Sequence, residues 1–127
     1  MKFYLGISAF YHDSAVALFQ DDKLIFAIQE ERISRKKHDS RFPSKSINLI
    51  LQKFNLNLNN IEAIVFYEKP LIKFDRLLES YVHYAPKGIK SFVRSIPLWL
   101  KEKLYQKEMI LNELKLIDEN FNDKKKN

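Results

Sequence analysis

The chain has 127 residues, 46% of them apolar, with 22 Lys and Arg against 16 Asp and Glu and no cysteine. This size suits one packed domain or a piece of one and excludes global disorder, a disulfide framework and a thiolate metal site; it fits a cytoplasmic location. The net charge of +6 raises nucleic acid as a partner, but Lys supplies most of the basic count and the terminal "KKKN" adds three, so specific nucleic-acid binding is not expected.

Lys2–Ile7, Ala15–Gln20 and Leu24–Gln29 are short runs rich in β-branched and aromatic residues, and read as three strands. The connections are short, "DDK" making the second turn, so the strands form an antiparallel meander. "EERISRKKHDSRF" is polar and charged, and is expected as a loop or strand extension. Pro43 can open a helix at its first turn. Ile47, Ile50, Leu51 and Phe54 recur at helical spacing and give that helix one apolar face, before "NLNLNN" ends it. Ile61–Tyr67 is a fourth strand, apolar enough to be buried on both faces like a central parallel strand. The order βββαβ defines an α/β unit over residues 1–68, with the helix crossing over to a parallel fourth strand.

From 69 to 121 the chain reads as a helical subdomain. Leu71, Phe74, Leu77, Leu78 and Tyr81 form a stripe, "APKG" breaks it, and Ile89–Val93 is a short piece. Pro97 opens another segment, and one long helix is expected from Trp99 to about Phe121. Aromatics and bases interleave between Lys69 and Lys107, as on a membrane-surface or RNA-binding helix. The acidic residues among them favour snorkelling lysines on a subdomain surface instead. Residues 122–127 are a charged tail. No apolar run approaches the ~18 residues that span a bilayer. Four strands with one crossover leave open sheet edges, which makes self-association plausible and points to a fragment of something larger.

Two stretches carry candidate chemistry. The corner "SAFYHDSA" between the first two strands holds His12, Asp13 and Ser14. Phosphate loops ordinarily use glycine, and none lies between Gly6 and Gly88, so an anion site here would need side chains. His12 can donate to an anion or move a proton near neutral pH, with Asp13 and Ser14 orienting it or capping the turn. The plain alternative is a surface histidine beside a turn-forming Asp. The second stretch, "EERISRKKHDSR", sets Arg32, Arg35, Lys36, Lys37, His38 and Arg41 where the third strand ends, so it can lie beside the corner. Its bases suit carboxylate or phosphate; otherwise they form a solvated loop paired with Glu30, Glu31 and Asp39. The three histidines are scattered, and no metal site, Walker loop or dinucleotide fingerprint is assembled from spacing.

Taken in order, "LGISAFYHDSAVAL", "QEERISRKKHDSRFP" and "VFYEKPLIKFDRLLESYVHYAPKGIKSF…PLWLKEKL" resemble the N-terminus of the O-carbamoyltransferase family, which includes the nodulation, tobramycin and cephamycin carbamoyltransferases. The resemblance runs from about Lys2 to Lys107. It implies the N-terminal portion of an actin-like (ribonuclease-H-like) ATPase domain, followed in the family by a carbamoyl-adenylate-forming domain. It further implies that carbamoyl phosphate and ATP give carbamoyl-adenylate, whose carbamoyl group passes to the hydroxyl of a small-molecule acceptor. His12 and Lys37 match the family's transfer-site positions. Asp13 and Ser14, with Arg35, Lys36 and His38, complete the matching HDS and RKKH motifs and are expected to bind substrate or phosphate. Ser8 stands where many actin-like ATPases carry a metal-positioning Asp, in keeping with the transferase branch. The family's iron-type metal and its paired histidines are expected beyond residue 127, with the rest of the nucleotide site. The isolated chain is therefore expected to have no transferase activity and to need the remainder of the enzyme as its partner. A stand-alone basic α/β module binding nucleic acid or a protein is the alternative.

Overall fold

A computed structural model describes residues 1–67, 70–85, 87–88, 90–91, 93–94, 96–97, 101 and 105–123, with backbone only for 70–74 and 81. Three strands, β1 (Phe3–Ser8), β2 (Ala15–Gln20) and β3 (Lys23–Gln29), form the antiparallel meander. The β2–β3 turn is tight because Asp21 adopts a left-handed φ of 52° and its side chain and backbone bond back to Lys2. A fourth strand, β4 (Ile61–Phe66), pairs parallel to β1, giving the order β3-β2-β1-β4.

The fourth strand departs from expectation. It is parallel, but it lies at the edge of the described sheet, and β1 is interior. Val65 is 57% exposed, so the run "IVF" is not buried on both faces. Period-2 alternation governs instead: Ile64 and Phe66 pack on the core, while Val65 faces away.

Register places Leu5 opposite Leu18 and Ile64, and Ile7 opposite Val16 and Phe66, so one sheet face is continuously apolar. Helix α2 (Ser44–Lys53) covers it with Ile47, Ile50 and Leu51, while Phe54 just past its end packs edge-on against Phe26 at 5.9 Å. Pro43 sits at the cap position rather than inside the first turn. The expected loop after β3 begins with a four-residue helix, α1 (Glu31–Ser34), whose turn closes on the Glu30 carbonyl and stops where Arg35 turns left-handed at φ 59°. After α2, Asn57 and Asn60 cap one another across a 3₁₀ turn, Leu58–Asn60, that leads into β4.

The chain divides into two units, Met1–Tyr67 with Ile110–Asn127, and Glu68–Met109. In the second, helix α3 (Pro70–His83) covers the predicted stripe. Ile89, Phe92 and Trp99 lie outside the described residues. The expected long helix is interrupted: Tyr105 is a turn, and helix α4 (Gln106–Ile117) follows it, ending before Phe121. The stop has a physical cause: Asp118 accepts from the amides of Asn120 and Leu58, and Phe121 N–H bonds the Asp118 carbonyl. Leu114 and Phe121 join the core of the first unit. Among the described residues, no helix is long and apolar enough to cross a membrane.

Candidate functional site

The β1–β2 corner is braced by a segment much later in the chain. Phe10 N–H donates to the Ser40 carbonyl at 2.8 Å and Ser14 N–H to the Asp39 carbonyl at 2.8 Å. Glu30 N–H then donates to the Ser14 carbonyl, tying the end of β3 to the same place. Phe10, at φ 73°, stacks on Phe42 and also meets Phe66, so an aromatic cluster underlies the corner. Only Tyr11, His12 and Asp13 project between the two braces, with Tyr11 and His12 exposed and Asp13 half-buried.

The bracing segment is itself anchored by two buried carboxylates. Asp39, with its side chain fully buried, accepts from Arg41 Nε at 3.0 Å and Nη2 at 2.8 Å and from Arg41 N–H at 3.1 Å. These bonds from Arg41, together with one from Ser34, hold the Asp39 carboxyl well below the usual carboxylate range. Glu30 accepts from the amides of Lys45 and Ser46 and from the Ser46 hydroxyl, and so caps α2 from outside the helix. The bases Arg35, Lys36 and Lys37 form no ion pair among the described residues and are exposed.

At the tip, Asp13 lies between two imidazoles. Its Oδ2 is 2.9 Å from His12 Nδ1, and its Oδ1 is 2.9 Å from His38 Nδ1. His38 N–H donates to Glu31 Oε2 at 2.9 Å, which fixes the loop that carries it. The hydrogen bond from His38 is the main cause that lowers the Asp13 pKa, and the same bond raises that of His38. The structure thus joins three sequence-derived candidates, His12, Asp13 and His38. Lys37 is the residue next to His38 and Lys36 and Arg35 precede it, but their side chains do not bond to the corner. Ser14 is separated from the others: it is fully buried, and its Oγ has no partner among the described residues. It forms the floor of the corner. Sequence reasoning missed the placements of Glu30 and Glu31, because a charged pair at a strand end gives no sign of which member folds inward.

Asp13, Glu31 and His38 place donor atoms within 4.8 Å of one another, the spacing of a metal site. Within this group His38 Nδ1 bonds Asp13, and Glu31 Oε2 accepts from the His38 amide. The trio closes on itself as a hydrogen-bond cluster. Nor do the histidines fit an iron centre built from paired histidines. His12 and His38 share Asp13, and His83 stands at the end of α3 beside Tyr84.

The described domain is thus a mixed α/β sheet with a parallel crossover strand, carrying on its first corner an imidazole–carboxylate cluster next to exposed bases. The comparisons are more specific. A family model described as Carbamoyltransferase N-terminus matches residues 4–126, and the chain belongs to that family. It is 50% identical over 114 residues to the uncharacterized protein sll1178 of Synechocystis, covering 90% of this chain and 18% of that protein. It is 32% identical over 93 residues to the nodulation protein NolNO of Sinorhizobium fredii, covering 70% of this chain and 14% of that protein. A 42-residue match, 43% identical, to the uncharacterized protein MJ1051 of Methanocaldococcus jannaschii covers 33% of this chain and 8% of that protein. The chain thus spans less than a fifth of the length of these relatives.

Proposed function

We propose that this chain supplies part of the transfer site of a carbamoyltransferase with an actin-like N-terminal domain. The enzyme would take carbamoyl phosphate, water and ATP to carbamoyl-adenylate, releasing phosphate and pyrophosphate, then hand the carbamoyl group to the hydroxyl of a small-molecule acceptor. In the transfer step the acceptor oxygen bonds to the carbamoyl carbon, the bond from that carbon to the adenylate oxygen breaks, and AMP leaves. The hydroxyl proton goes to His12 Nε2. The observation that carries this reading is the 2.9 Å contact between His12 Nδ1 and Asp13 Oδ2. A carboxylate can only accept, so the contact puts the proton on Nδ1 and leaves Nε2 of the neutral ring as a base. Lys37, exposed and without an ion pair among the described residues, is suited to offset negative charge on the adenylate phosphate or the developing oxyanion. Because the chain covers a small share of its relatives, the nucleotide site and the acceptor pocket are assigned to the rest of such an enzyme, and the 127 residues alone are expected to be inactive.

The test uses a full-length protein containing this segment, supplied with ATP, carbamoyl phosphate and a panel of hydroxyl acceptors. His12→Asn and Lys37→Ala should each lower carbamoyl transfer by at least ~100-fold, in line with lost general-base and charge-stabilising groups. Transfer at the parental rate in both variants would remove the assignment.

A further inference from the structure

Asp13 is the one carboxylate of the corner, and both of its oxygens are in use. Neither histidine can bond it as an acceptor, so both contacts require an Nδ1–H donor. A carboxylate held by a single bond can rotate about its χ2, which is a broad torsion. A second donor on the other oxygen removes that freedom. The second donor here comes from 25 residues away, on a loop fixed by the Glu31–His38 bond. Asp13 and His38 both take left-handed backbone conformations, at φ 47° and 53°, which non-glycine residues adopt at a cost. Exposed pairs of this kind add little to stability, so the strain calls for a purpose other than stability.

We infer that His38 is a positioning residue for His12: by donating to Asp13 Oδ1 it fixes the carboxylate so that Oδ2 meets His12 Nδ1 and holds His12 in its Nδ1–H form. The inference rests on the proposed role of His12 as the proton acceptor. The charged groups facing the cluster are Asp13 and Glu31 toward His38, and the two imidazoles toward Asp13. The elevated pKa of His38, caused first by its bond to Asp13, extends the pH range over which the two groups form an ion pair. On loss of the second proton, a neutral His38 with hydrogen on Nδ1 still donates, so the positioning persists in weaker form.

The experiment reads tautomers directly. The full chain is labelled with ¹⁵N histidine, and the imidazole nitrogens are followed at about pH 8.5, where a histidine is ordinarily neutral. Assignment is tractable with three histidines, His12, His38 and His83. In the parent, His12 should be mainly Nδ1–H. In His38→Ala that fraction should fall severalfold in favour of Nε2–H. In His38→Asn, whose amide nitrogen falls near the position of Nδ1, the parental pattern should return. An unchanged His12 in the Ala variant, or an Asn variant that behaves like Ala, would overturn the inference. The amides of Phe10 and Ser14 report whether the corner stays braced on Ser40 and Asp39. If their protection vanishes along with the tautomer preference, His38 merely holds the loop and the inference fails. Since this readout needs no turnover, it can fail while the transfer assay succeeds, and the reverse.

Discussion

Glu30 brings a buried carboxylate to the start of α2, where backbone amides lack acceptors inside the helix. No side chain of α2 itself supplies the cap. Glu30→Ala should therefore destabilise the fold by about 1–3 kcal/mol, from the lost cap and the unpaired amides. Urea unfolding with an unchanged m-value would show it, and a loss under ~0.5 kcal/mol would mean the cap is replaced by water. The His38–Asp13 pair makes a pH prediction of definite sign. His38 lies above its ordinary 6.5, so its contribution is fully present below that value and fades as pH rises through the raised one. Asp13 lies below its ordinary 3.8, so its contribution is present above 3.8 and fades as pH falls through the lowered one. NMR titration of the His38 ring should give a midpoint above 6.5, returning to near 6.5 in Asp13→Asn. A parent midpoint at or below 6.5 would show that the contact is absent in solution.

Among the elements, α2 carries the burial of the sheet's apolar face. Ile50 is fully buried, and Ile50→Ala should cost about 2–5 kcal/mol in chemical or thermal unfolding. Its face was legible in the sequence because Ile47, Ile50 and Leu51 recur at a period close to 3.6. The meander was legible because runs rich in β-branched and aromatic residues are joined by short connections. Three features were hidden. The run "IEAIVF" could not disclose that β4 lies at an edge of the described sheet, since a few apolar residues in a row obscure which of them alternates outward. Helix α1 is a single turn and has no period to read; its closing bonds come from the Glu30 carbonyl. The end of α4 is set by Asp118, through a bond to Leu58 sixty residues earlier. At the site, the motifs supplied the residue types, but the Asp13 bridge needed two left-handed residues that no local spacing announces.

For the whole molecule, the second face of the sheet matters most. Tyr4 and Gly6 of β1 share it with their cross-strand partners Phe19, Ala17, Ala63 and Val65. Phe19, its partner Leu24 and Val65 are 36%, 56% and 57% exposed. Exposed apolar residues on one sheet face, with β3 and β4 at the edges of the described sheet, favour association. The isolated chain should therefore elute above monomer size at high concentration, and Val65→Lys should shift it toward monomer in sedimentation. A clean monomer across concentrations would contradict this. The paired braces from Phe10 to Ser40 and from Ser14 to Asp39 have a consequence for synthesis. A chain emerging from the ribosome can pair β1 with β2 and β3 as soon as Gln29 is free, because the meander is local. It cannot set the corner until Ser40 has followed. The meander can thus precede its site in time, before β4 has been made, and a nascent chain arrested between those two points would have β1, β2 and β3 free to pair with His12 and Asp13 still unaligned.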